Sequence, residues 1–383
     1  MNFDLEENHR MIRDLVRDFA AREVAPGAMK RDETCEFPFD LCQKLGELGL
    51  MGIMVPEALG GAGLDVTSFV IAVEEIARHD GSLALTAASH NGLCIGHMLV
   101  GANDTLKKKY LPSLASGKKL GAWCLTEPGS GSDALAMKTT AVKKGDRWVI
   151  NGSKNFITQG SVGDVYVILA HTDRSKGTRG VTAFIAEKGW KGLTPGKKEE
   201  KLGVRSSDTA ALTFENLEIP EENVLGNVGE GFINALKVLD RGRVVIGAMA
   251  LGLGRGALEE AAKYSKERQA FGHPISEFQG IQWLLADSAM ELEAARVLVY
   301  RAAWLQGNGK FSKKESSMAK LYASEAAMRA CHRGIQVFGG YGYVKEYPVE
   351  RYFRDVKLCE IGEGTSEIQR DVIANQVIDQ ASV

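Results

Sequence analysis

The chain has 383 residues, 44% of them apolar and 25% charged, which is the mix of a folded domain protein rather than a disordered one. Lys and Arg total 47 against 49 Asp and Glu, a net charge of −2 that argues against a nucleic-acid binder, since those concentrate excess basic charge. The length predicts two to three domains.

No run approaches the ~20 apolar residues of a membrane span. The start, Met1-Asn2-Phe3-Asp4-Leu5-Glu6-Glu7, lacks the basic and apolar regions of a secretory signal. The expected compartment is cytoplasmic, or matrix if the protein is mitochondrial and already processed. Six cysteines (35, 42, 94, 124, 331, 359) form no C-x-x-C pair, and seven histidines form no H-x-x-x-H pattern. We therefore expect no metal and no disulfide framework, and buried free thiols instead.

Hydrophobic periodicity predicts three regions in chain order. Residues 1–120 read as helical. Met11, Ile12, Leu15, Val16 and Phe19 share one face of a helix over 7–24 that Pro26 should end. Further helices are expected at 41–50, 66–78 and 105–114. Residues 121–230 read as a small antiparallel β domain. Gly145-Asp146 joins two β-rich runs, Asn151-Gly152 is a hairpin signal, and 165–169, 181–185 and 211–214 are further strands. Residues 231–383 return to helix: 232–265, 278–306, 315–337, and a last one from Ser366. Long helices with short breaks predict an up-and-down bundle. The fold class is thus α+β, mainly α, with a helical, a β and a helical domain.

Several catalytic signatures are absent. Gly252-x-Gly254-x-Gly256 lacks G-x-G-x-x-G spacing and follows no strand, so close helix packing is the better reading. Gly309-Lys310 is not a phosphate loop, and there is no G-x-S-x-G.

Four strings carry more: Leu125-Thr126-Glu127-Pro128-Gly129-Ser130-Gly131-Ser132-Asp133; Asn151-Gly152-Ser153-Lys154-Asn155-Phe156-Ile157-Thr158; Arg268-Gln269-Ala270-Phe271-Gly272; and Gln336-Val337-Phe338-Gly339-Gly340 with Glu363-Gly364-Thr365-Ser366-Glu367. In this order and spacing the chain resembles the acyl-CoA dehydrogenase family over essentially its whole length. The resemblance implies an N-terminal helical domain, a middle β domain and a C-terminal four-helix bundle, with FAD held between the last two. It implies a homotetramer, a dimer of dimers, that acts on an acyl-CoA and passes electrons to an electron-transferring flavoprotein.

The resemblance also implies roles residue by residue. Trp123, Leu125 and Thr126 match a segment along the isoalloxazine ring, and Phe156 and Thr158 one on its other side, where a hydroxyl can donate to flavin N5. Arg268 and Phe271 match a segment reaching the neighbouring subunit's FAD, and a guanidinium fork suits its pyrophosphate. Gln279, Gln336, Gly339, Gly340, Thr365 and Glu367 join the cofactor contacts. Glu363 matches the base that takes the α-proton while the β-hydrogen leaves as hydride, giving the trans-2-enoyl thioester. An apolar pocket should raise its pKa. Ser132, Asp240, Arg243, Gly362 and Gly364 match positions near the substrate.

Blander readings stand beside these: a turn cap for Thr126, core packing for Phe156, a solvated helix-end cation for Arg268, a helix ion pair for Asp240 and Arg243, and a loop acid for Glu363. A related branch of the family places its base at the position of Gly242, which cannot serve here. Gly362 stands where many straight-chain members have Tyr. The expected substrate is therefore a short or branched acyl-CoA, unless Ala88, Ser89, His90, Asn91 and Leu93 close the space. A cyclic acyl-CoA dehydrogenase, an acyl-CoA oxidase or flavin monooxygenase on the same fold, and a non-enzymatic CoA-binding scaffold are the alternatives.

Overall fold

The computed structural model describes residues 4–381, so Met1, Asn2 and Phe3 of the N-terminal reading lie outside the described residues. The N-terminal part packs seven α-helices: α1 (Glu7–Phe19), α2 (Ala28–Thr34), α3 (Phe39–Glu47), α4 (Val66–Ala77), α5 (Gly81–Ala88), α6 (Gly96–Gly101) and α7 (Asp104–Ala115). Side-chain oxygens of Asp65, Asp80 and Asn103 accept from the first free amides of α4, α5 and α7 and start those helices. Pro26 does not end the first helical run. It sits at the start of a short 3-10 turn, Ala25–Gly27, where a missing N–H costs nothing, and the chain resumes as α2.

Eight strands follow: β1 (Gly121–Cys124), β2 (Thr140–Lys144), β3 (Arg147–Thr158), β4 (Val165–His171), β5 (Val181–Glu187), β6 (Leu193–Lys198), β7 (Thr209–Pro220) and β8 (Val224–Leu225). They form one sheet in the order β6-β7-β3-β2-β4-β5-β8, with β1 beside β4. Pairing is mainly antiparallel, but β1 runs parallel to β4. Alternate residues of β4 face opposite ways. Val165, Val167 and Leu169 meet the N-terminal helices, while Tyr166, Ile168 and Ala170 meet Trp148, Phe184 and Leu212. Burial on both faces explains its unbroken apolar run.

Gly145, at φ 61°, turns β2 into β3 as expected. The hairpin expected at Asn151-Gly152 is not there, because both residues lie inside β3 at a register shift against β7. Gly152 has no side chain because a Cβ would fall 2.5 Å from Thr139 Oγ1.

The C-terminal part holds α8 (Gly231–Glu267), α9 (Gln279–Gly307), α10 (Lys313–Phe338), α11 (Val349–Ile361) and α12 (Ser366–Ala381). Helix α8 is its axis and also packs on α4. A Cβ at Gly252 would lie 2.2 Å from the Glu74 carbonyl, and one at Gly256 2.4 Å from that of Arg78. The glycine run is thus a close helix contact, as its spacing suggested. All six cysteines are free, five buried and Cys35 half-buried. Among the described residues no helix is long and apolar enough to cross a membrane.

Candidate active site

Between α11 and α12 the chain turns within four residues, 362–365. Glu363 takes φ 53° and Gly364 φ 92°, and a non-glycine residue in that region costs about 1 kcal/mol or more. Side chains from two helices hold the turn. Gln369 Nε2 donates to the carbonyls of Glu363 (3.3 Å) and Gly364 (2.9 Å), and Lys320 Nζ donates to that of Gly364 at 2.7 Å.

The Glu363 carboxyl points inward, with Oε2 out of solvent contact and without a hydrogen-bond partner. Burial pushes this carboxyl up to about 7, against the opposing pull of Lys320 and Arg243. Helix α8 passes beside it: a Cβ at Gly242 would fall 1.8 Å from Oε2. The next residue, Arg243, is buried and pairs with Asp240 at 2.5 Å, which is the helix ion pair expected as the blander reading. Burial lowers Arg243 and raises Asp240, each opposed by the other's charge. Glu363 is therefore not an exposed loop acid.

On the sheet, Trp123 and Leu125 are buried at the end of β1, and Trp123 Nε1 donates to Nδ1 of buried His97 at 3.0 Å. The Thr126 carbonyl accepts from the Asn155 amide at 2.8 Å. A buried ion pair ties the same two segments together: Lys154 Nζ donates to Glu127 Oε1 (2.8 Å) and to the Leu125 carbonyl (2.9 Å). Burial alone would raise Glu127. The Lys154 charge and the Lys138 and Thr139 amides outweigh it and hold the carboxylate below its ordinary range. Two residues further, Phe156 takes φ 55° and turns its ring out, 63% exposed, so it is not core packing. Thr158 is half-buried opposite Thr209, and Ser132 is exposed on the loop after β1.

The remaining residues lie elsewhere. Arg268, Gly339 and Gly340 line a cleft of about 640 Å³ with Tyr264, Phe338 and Tyr341. The Arg268 guanidinium sits 5.6 Å from the Tyr341 ring centroid, and a Cβ at Gly339 or Gly340 would meet nothing within 4 Å. Phe271 is 94% exposed, and Gln279 and Gln336 are exposed. Thr365 and Glu367 line a smaller cleft with Arg329, Lys357 and Arg370. Gly362 is half-buried rather than turned to solvent, and so is Gly364.

The structure thus gathers Gly242, Arg243, Lys320 and Glu363 at one point and braces the two β segments against each other. It keeps the Arg268 cleft apart from both groups. His90 and Asn91 are spent on backbone groups of Leu114, Gly121, Leu50 and Ala87. Sequence reasoning missed His97, Lys320 and the Lys154–Glu127 pair. Lys154 and Glu127 stood inside the quoted strings, but nothing local marks two residues 27 apart as partners.

These features fit a flat, anionic cofactor. Phe156 offers an outturned ring beside a fixed strand end, and Arg268 offers a guanidinium with no ion pair among the described residues, next to side-chain-free backbone.

Family models for the N-terminal, middle and C-terminal domains of acyl-CoA dehydrogenase match residues 6–118, 122–217 and 229–378. A short-chain-specific acyl-CoA dehydrogenase of Clostridium acetobutylicum is 48% identical over 98% of this chain and 100% of its own length. Butyryl-CoA dehydrogenase of Megasphaera elsdenii has the same fold with a TM-score of 0.97 and 42% identity, covering 99% of this chain and 100% of that one. A chain from a structure described as the electron transferring flavoprotein of Acidaminococcus fermentans gives TM-score 0.97 and 46% identity, covering 98% of this chain and 99% of that one. With all three domain models in register around the buried acid, the chain belongs to the acyl-CoA dehydrogenase family.

Proposed function

We propose that the chain dehydrogenates an acyl-CoA thioester across its Cα–Cβ bond to the trans-2-enoyl-CoA, with Glu363 as the base. The single observation that carries this reading is the Glu363 carboxylate: Oε2 out of solvent contact and unpartnered, the group raised to about 7, and Gly242 of α8 leaving no Cβ against it. A carboxyl so raised is a stronger base than an ordinary one and is still half ionised at neutral pH. Its unused oxygen is free to take the α-proton. The α-proton of a thioester is weakly acidic, so the site must also stabilise the developing enolate, and the backbone N–H of Glu363 would donate to the thioester carbonyl.

FAD is the cofactor of this family, and when bound it supplies the acceptor for the β-hydrogen. Trp123, Leu125, Thr126, Phe156 and Thr158 would wall its ring. Arg268, Phe271, Gln336, Gly339 and Gly340 would hold its polar end from the neighbouring subunit, with Gln279, Thr365 and Glu367 as further cofactor contacts. Asp240, Arg243 and Ser132 would meet the CoA. In this reading 1–120, 121–230 and 231–383 divide the work, the second holding the ring and the third the base.

A substrate of short or branched chain is supported by the room at Gly362, where the atoms nearest an added Cβ are those of Leu358, at 3.5 to 3.8 Å. The short-chain relative points the same way. Tetramer assembly is supported by Trp283, Met290, Val297 and Trp304, exposed at seven-residue intervals along α9, an apolar stripe that water disfavours. An electron-transferring flavoprotein as acceptor is supported by the A. fermentans likeness, and six free thiols suit a reducing cytoplasm or matrix. Anaerobic bleaching of the FAD-loaded protein by straight, branched and cyclic acyl-CoAs tests the reaction. Bleaching by one class is expected, with Glu363→Gln inactive; near-normal turnover in that variant would remove Glu363 as base.

A further inference from the structure

Lys320 is a buried cation that the chemistry above leaves unused. It lies on the inner face of α10 with no exposed surface. Its ammonium makes one hydrogen bond to a neutral oxygen, the Gly364 carbonyl at 2.7 Å, and no ion pair among the described residues. Burying a cation in this way is costly, so the fold keeps it against its own stability. Burial pulls Lys320 down to about 8, opposed by Cys359, Glu363 and Glu360.

Its contact is specific. Gly364 follows Glu363, and the turn they form is left-handed at both residues. A donor locked onto the Gly364 carbonyl fixes the Gly364–Thr365 peptide, and with it the turn that carries the Glu363 side chain. The charged surroundings leave Lys320 a distinct part. On α8, Arg243 is engaged by Asp240. On α11, Glu360 is engaged by Lys357, and Cys359 is a buried thiol that burial keeps protonated. On α12, Glu367 is exposed and Gln369 is neutral. Lys320 is the cation beside Glu363 with no carboxylate partner of its own.

We propose that Lys320 is a positioning residue for the dehydrogenation: anchored on the Gly364 carbonyl, it fixes the turn that aims Glu363 and sets a positive charge beside the carboxylate. The proposal rests on Glu363 being the base. Without this charge the carboxylate holds its proton to higher pH, so the base is absent over part of the range in which the wild-type enzyme works.

The test uses FAD-loaded Lys320→Met, Lys320→Gln, Lys320→Arg and Glu363→Gln, with butyryl-CoA as probe, reading flavin content, thermal midpoint, KM, kcat and the pH profile. Lys320→Met should keep its flavin and a KM within about threefold. The acid limb of its kcat profile should move up by about one pH unit or more, a roughly tenfold loss of kcat at pH 6. Lys320→Gln, which keeps a donor for the carbonyl, should show the same shift with a smaller loss at pH 9, and it decides the matter if the Met variant does not fold. Lys320→Arg should restore the wild-type limb. An unmoved acid limb in the neutral variants, with Glu363→Gln inactive, would overturn the role of Lys320 and leave the base standing. Near-normal turnover by Glu363→Gln would overturn both.

Discussion

Gly242→Ala tests whether the space on α8 belongs to the base. The added Cβ would stand 1.8 Å from Glu363 Oε2 and 2.9 Å from its Cδ. Heavy atoms in ordinary contact keep about 3.5 Å, so the carboxylate must move by roughly 1.7 Å. The clash is with the end of a flexible side chain, which swings aside at modest cost, so stability should fall by no more than about 1 kcal/mol. Catalysis should suffer much more, because a 1 Å misplacement at a reacting group costs on the order of a hundredfold. We therefore expect kcat on butyryl-CoA to fall a hundredfold or more, with flavin content and the thermal midpoint close to wild type. Turnover within threefold of wild type would refute the reasoning, since the carboxylate would then work from a position this helix is supposed to deny it.

Two other predictions concern stability. Glu363 has its carboxyl raised from 4.5 to about 7, so the folded state binds more protons than the unfolded one between those values and loses stability as pH rises through them. Glu363→Gln should raise the thermal midpoint at pH 8, with an upper bound of about 3 kcal/mol, and the gain should vanish near pH 4.5; an equal gain at both pH values in a thermal scan would contradict this. Lys154→Met should leave Glu127 buried without its cation and cost about 3 to 5 kcal/mol. Calorimetry together with flavin content checks it, and a wild-type midpoint would show that the ion pair does not brace the two β segments.

Much of this fold was legible because long elements repeat their signal. The helices at 232–265, 278–306 and 315–337 differ from α8, α9 and α10 by only one or two residues at most ends. Helix α11 escaped notice although Val349, Tyr352, Val356 and Cys359 recur at three- and four-residue spacing, because charged residues fill the positions between them. Asn151-Gly152 misled for a physical reason. The dipeptide favours positive φ, which serves a bulge as well as a hairpin, and only the register against β7 tells them apart. Glu363 stood out as a candidate from the surrounding string alone. That Gly242 faces it, that Lys320 binds the next carbonyl and that His97 holds Trp123 are contacts between residues 26 to 121 apart, which no local pattern records.

The departures from ordinary structural rules gather around one residue. Glu363 has a backbone conformation that side chains disfavour, an oxygen with no partner, and a carboxyl that burial holds near neutrality. A chain selected only for stability would place a glycine or asparagine at φ 53° and pair or expose the acid. Here the surrounding helices do the opposite. Helix α8 removes a side chain at Gly242, α10 buries an ammonium at Lys320, and α12 spends Gln369 on the turn's carbonyls. The first two are unfavourable for folding by themselves, the third holds the turn, and all of them bear on the residue that carries the carboxylate. Such convergence on one group is what distinguishes a strained site kept for chemistry from a local fault in packing.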